Sequence, residues 1–169
     1  MSPLEFFEWF GNTPWSIALL ESLWVYPIVE TTHVLTLCLF LGLIATLDLR
    51  LVGLTLRRVP VSEVAGRLLP WALGGFALMA VSGLLLFYSH PVRAYENIFF
   101  RIKIVMLVLA GLNAFVFHTT VYRRVTDWDR APVAPLRARV AGYLSLVLWC
   151  GVVVEDDEGT VTNWAMEMG

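Results

Sequence analysis

Residues 28–47 read IVETTHVLTLCLFLGLIATL, twenty positions that hold one carboxylate, one imidazole and no cation. An α-helix rises ~1.5 Å per residue, so a stretch of this length covers the ~30 Å hydrocarbon core of a bilayer. Three further apolar stretches follow at 68–88, 104–122 and 140–154. The last is the shortest and needs its flanks to cross. Over the 169 residues, 58% are hydrophobic and only 15% charged, and the mean hydropathy is +0.71. Lipid is therefore the expected solvent for most of this chain.

The loops between these stretches are short, which forces neighbouring helices to run antiparallel. The expected fold is all-α: a polytopic membrane protein built as an up-and-down four-helix transmembrane bundle, one domain over residues 1–169. Ahead of the first span, residues 3–10 set Phe6, Phe7, Trp9 and Phe10 beside Glu5 and Glu8. That pattern predicts a short N-terminal helix lying in the membrane interface. Thr13-Pro14 reads as an N-cap with proline in the first turn, opening a second helix. Pro27 is the expected point at which that helix kinks or divides, with Trp15, Trp24 and Tyr26 as an aromatic belt. Gly74, Gly75, Gly83, Gly111 and Gly142 mark positions where backbones can approach closely.

Charge is unevenly divided among the loops. Arg50, Arg57, Arg58 and Arg67 fall after the first span, and Arg123, Arg124, Arg130, Arg137 and Arg139 after the third. Arg93, Arg101 and Lys103 lie at the opposite end, with the acidic residues Glu5, Glu8, Glu155, Asp156, Asp157 and Glu158 near the termini. The positive-inside rule then places both termini outside the cytoplasm, in a bacterial inner membrane. The start, Met1-Ser2-Pro3-Leu4-Glu5, lacks a cationic leader region, so the first crossing segment is expected to serve as its own insertion signal. No basic stripe calls for nucleic acid.

Soluble-enzyme signatures are missing: no phosphate-binding loop, no dinucleotide fingerprint, no GxSxG, no HExxH and no CxxC. Cys38 and Cys150 read as small buried apolar residues. Ionisable groups inside spans are costly, at roughly 2.5–3.5 kcal/mol for a central charge, so they are where chemistry is sought. Glu30 and His33 are three apart and share a helical face, where each can satisfy the other. His90 ends the second span and His118 lies near the inner end of the third, with Asn113 between Lys103 and His118. Interfacial anchoring accounts for Arg101, Lys103 and Asp48. Neutral imidazole suits haem iron, copper or zinc. By depth, His33 and His90 belong to the outer half and His118 sits ~15 Å deeper, so one haem cannot join His33 to His118. His33, with His90 or a movable partner opposite, is the expected metal site, with Arg93, Arg101 or Lys103 meeting haem propionates.

The run Tyr26-Pro27-Ile28-Val29-Glu30-Thr31-Thr32-His33-Val34-Leu35, with Asp48-Leu49-Arg50-Leu51-Val52-Gly53, resembles small bacterial four-helix membrane proteins of unknown function over most of residues 1–154. More distantly, Phe99-Phe100-Arg101-Ile102-Lys103 with Asn113 and His118 resembles the third helix of copper-resistance D-type proteins and of the haem-b protoporphyrinogen oxidase family. The latter resemblance implies functional roles for a first-helix histidine and a third-helix lysine, which fall on His33 and Lys103.

The leading expectation is a membrane b-type cytochrome-like protein that binds haem b and passes electrons between a quinone or membrane dehydrogenase and a periplasmic acceptor. A copper-handling permease component is the second reading, lowered by the lack of paired Met or Cys ligands in the outer half. A non-catalytic subunit or scaffold of a homo- or hetero-oligomer is the third. A porphyrin oxidase is the fourth, carried by the distant resemblance alone.

Overall fold

The computed structural model describes residues 2–131 and 133–167, with side chains as far as Val154. The acidic side chains from Glu155 to Glu158, used above to orient the chain, lie outside that description. Every regular element among the described residues is helical: α1 (Pro3–Gly11), α2 (Pro14–Leu20), α3 (Val25–Val52), α4 (Val61–Ser89), α5 (Pro91–Glu96), α6 (Ile98–Val116) and α7 (Leu136–Glu167). Four segments, Val25–Val52, Val61–Ser89, Ile98–Asp127 and Leu136–Val154, are long and apolar enough to cross a membrane. Their length and composition are those of membrane-spanning helices.

Each expected span extends past its apolar stretch. α4, for example, starts at Val61, before the apolar run at 68, because Asp129 accepts hydrogen bonds from the Ser62 backbone N–H (2.7 Å) and hydroxyl (2.6 Å). A carboxylate there satisfies an orphan donor of the first turn and meets the positive end of the helix dipole. The helix break expected at Pro27 falls earlier, over Glu21–Trp24, where the Ser22 hydroxyl accepts from the Val25 backbone N–H at 3.0 Å. Pro27 instead sits in the first turn of α3, where a missing N–H costs nothing. The third span is not α-helical throughout. After Val116 it widens into a π turn, Phe117–Val121, and then tightens into a 3₁₀ turn, Tyr122–Asp127.

α3 is the hub, packing on α4 along one side and on α7 along the other, while α6 packs on α7. Gly142 lets α7 approach α3 closely, since a Cβ there would stand 3.1 Å from the Asp48 carbonyl oxygen. No packed interface runs between α4 and α6. α4 meets the third span only near its ends: Phe87 and Phe100 of α6 stack with ring centroids 5.6 Å apart, and Tyr122 of the 3₁₀ turn packs beside Val64 and Ala65. The four long helices thus form a ring with one open seam.

Short helices close the end where α3 begins. The α1 capping box is complete, Glu5 N–H donating to Ser2 Oγ and Ser2 N–H to the Glu5 carboxylate. Phe7 lies against Tyr95 of α5 at 4.8 Å and Phe10 against Tyr88 of α4 at 4.7 Å, while Trp9, Trp15 and Trp24 stay exposed. The expected short N-terminal helix is present as α1. At the opposite, arginine-rich end, Arg50 is fully buried and donates from Nε to the Val59 carbonyl (2.9 Å) and from Nη2 to the Ala131 carbonyl (3.4 Å). One side chain from α3 thereby ties the α3–α4 loop to the α6–α7 loop.

Candidate functional site

Because α4 and α6 stay apart, the four long helices line a cavity of about 1190 Å³ that is not fully enclosed. It runs from Glu30, His33 and Lys103 at one end to Asp48, Ser145, His118 and Tyr122 at the other, with mostly apolar walls between. This exceeds the ~300–1,000 Å³ of common small-molecule sites. The fifteen residues from His33 to Asp48 correspond to about 22 Å along α3.

His33 is fixed across the α3–α4 interface. Its Nδ1 lies 3.0 Å from the Met79 carbonyl oxygen and 3.1 Å from Ser82 Oγ. A carbonyl only accepts, so Nδ1 carries the proton in this bond. Ser82 is itself anchored, donating to the Leu78 and Met79 carbonyls. The ring fits because residue 83 is glycine: a Cβ there would stand 3.0 Å from His33 Cε1. This is how metal-binding histidines are commonly oriented, with a backbone carbonyl fixing the tautomer from behind.

Glu30 and His33 both line the cavity, as residues three apart on one helical face can. The hydrogen bonds His33 makes to Met79 and Ser82 run across to α4, whereas the Glu30 charge acts on Tyr26 and His90. Lys103 lines the cavity at the His33 end. Arg93 and Arg101 do not. Arg101 folds back, donating from Nε to the Tyr95 carbonyl at 3.0 Å and standing 4.9 Å over the Tyr95 ring. His90 also lies outside the cavity, between α4 and α5, with Nδ1 3.1 Å from Ser89 Oγ and its ring edge-on to Tyr26 at 5.6 Å. Burial, then the nearby Arg93 charge, push His90 below the ordinary imidazole range, against the pull of Glu30. His33 and His90 thus do not share the cavity. His118 occupies the π turn at the far end, stacked on Tyr122 at 5.1 Å, consistent with the depth separation expected from helical rise. Asn113, between the ends, donates to the Ala141 carbonyl at 3.0 Å and so serves the α6–α7 contact.

Asp48 is the residue whose place the sequence reading missed. It is 6% exposed, lines the cavity, has the Ser145 hydroxyl beside it across the α3–α7 contact, and its Oδ2 has no hydrogen-bond partner. It is buried, not an interfacial anchor, and its neighbour comes from a helix almost a hundred residues later, which no local pattern could announce. Cys38 lines the cavity as a free thiol, and Cys150 is free as well. Among the described residues, no three His, Cys, Asp or Glu side chains converge as a metal site would require.

No curated protein and no solved structure matches this chain. Residues 6–158, which include the four long apolar segments and every lining residue of the cavity, match a family of unknown function, and the chain therefore belongs to the family of unknown function DUF6644.

Proposed function

We propose that this protein is a b-type cytochrome-like membrane protein that holds haem b at the His33 end of the cavity and carries electrons within the bilayer. The observation that supports this most is the His33 ring itself, its Nδ1–H bonded to the Met79 carbonyl and its face set against Gly83, at the wall of a large apolar cavity. The residues fit the group. Haem brings four nitrogen ligands of its own, so one oriented imidazole and an apolar slot are enough to hold it. Copper would need several protein ligands drawn together, and the described residues gather none of the required number. Haem, when bound, supplies one-electron chemistry. The chain's own contribution is to orient His33, exclude water with apolar walls, and place Lys103 at the same end as a propionate partner. The distant resemblance to haem-b oxidase-type proteins, resting on His33 and Lys103, points the same way.

In this reading the four long helices form a transmembrane bundle in the bacterial inner membrane. The nine loop arginines face the cytoplasm and the α1–α2–α5 cap faces outward. The test is the absorption spectrum of protein purified in detergent from haem-replete cells, oxidised and then reduced. A reduced haem-b α band at about one haem per chain is expected. A colourless protein that also fails to take up added hemin contradicts the proposal.

A further inference from the structure

We infer that the opposite end of the cavity is a binding site for a membrane quinone, entered from lipid through the α4–α6 seam and read by Asp48. Three observations carry this. First, Asp48 is more than nine-tenths buried, faces the cavity, and has a carboxylate oxygen with no partner among the described residues. A buried polar atom without a partner is the place where a ligand's polar group is missing. Second, the way in is apolar. Leu73, Phe76, Leu84 and Ile104 line the cavity and are exposed, so whatever enters meets an apolar wall. Third, the lining offers aromatic faces beside small side chains, which suits a flat ring. Trp149 and Phe40 meet edge to face at 4.8 Å, and Ala110, Gly111 and Ala114 keep the α6 wall free of bulk.

A lipid-soluble molecule with a flat head and oxygens on its ring meets all three conditions. Either redox form suits Asp48: a quinol hydroxyl donates to a carboxylate, and a protonated carboxyl donates to a quinone carbonyl. Ser145 and His118 stand at the same end to meet a further polar group of the head, and an isoprenoid tail would leave along the seam. His118 lies in a π turn, a distortion of the helix that recurs at functional sites. The site does not depend on haem, since His33 and Asp48 stand about 22 Å apart along α3.

The experiment titrates detergent-purified protein, of recorded haem content, with a ubiquinone analogue carrying a ten-carbon tail, read by quenching of tryptophan fluorescence. Decanol and tailless benzoquinone serve as arms that separate tail from ring. Saturable binding of the analogue is expected, at least tenfold weaker in Asp48→Leu, with decanol unable to distinguish the two proteins. Should Asp48→Leu fail to fold, Gly111→Phe decides, because Gly111 lines the cavity and a Cβ there meets nothing within 4 Å. It should abolish binding while leaving the protein monodisperse. Unchanged affinity in folded Asp48→Leu, retained binding in Gly111→Phe, or decanol binding as tightly as the analogue overturns the inference. A haem-free preparation that binds the analogue in an Asp48-dependent way would count against the haem reading alone, and a haem-loaded one that does not bind it against the quinone site alone.

Discussion

His33 and Gly83 are matched across the α3–α4 contact: the ring occupies the volume that any side chain at position 83 would claim. Gly83→Ala should force the ring to move, weaken its bond to the Met79 carbonyl, and cost about 1–3 kcal/mol of stability, as overpacking of a core does. Gly74→Ala is the control, because nothing lies within 4 Å of a Cβ there, and it should change stability by less than about 0.5 kcal/mol. Thermal unfolding in detergent compares the two, and an equal effect at both positions would remove the special role of Gly83. The sequence announces His33 through the cost of an imidazole in a membrane span. It could not announce Gly83 as its partner, since fifty residues separate them.

Among the elements, α4 depends on a residue that is not its own. Burial alone would raise the Asp129 carboxyl, but the hydroxyl and backbone hydrogen bonds from Ser62, with the charges of Arg130 and Arg50, outweigh it and hold the group below its usual 3.8. A depressed carboxyl stabilises the fold fully above its unfolded value and loses that contribution as pH falls through the folded one. Asp129→Ala should therefore cost about 1 kcal/mol at pH 7, as loss of a helix cap does, and the gap from the parent protein should close below about pH 4. Midpoints of unfolding measured from pH 3 to 8 show it, and a gap independent of pH contradicts the cap. α3 and α7 give a second case. Gly142→Ala would press a Cβ to 3.1 Å from the Asp48 carbonyl oxygen and 3.3 Å from Leu51 and Val52 atoms, so a loss of about 1–3 kcal/mol is expected in the same assay. The helices themselves were legible, because apolar length alone specifies them. Their ends were less so: the N-terminus of α4 is set by Asp129 from another loop, and the π turn of the third span follows no periodicity in the sequence.

For the whole molecule, the informative property is the ring that fails to close between α4 and α6. Four spans and their antiparallel order follow from the apolar stretches and short loops, but which pair of helices stays apart is set by packing between distant residues. The same limit explains the site. His33, Glu30, Lys103 and His118 were expected to matter and do line the cavity, whereas His90, Arg93 and Arg101, near its His33 end, do not. Orientation can be read directly: a reporter active only in the cytoplasm should be active when placed in the α6–α7 loop and silent at the C-terminus, and the reverse pattern would invert the arrangement. The most direct test of the central claim is the haem content of His33→Ala, His90→Ala and His118→Ala, each purified at matched yield. His33→Ala is predicted to lose most of its haem while the other two keep theirs, and full haem in His33→Ala alongside loss in His118→Ala would contradict the account.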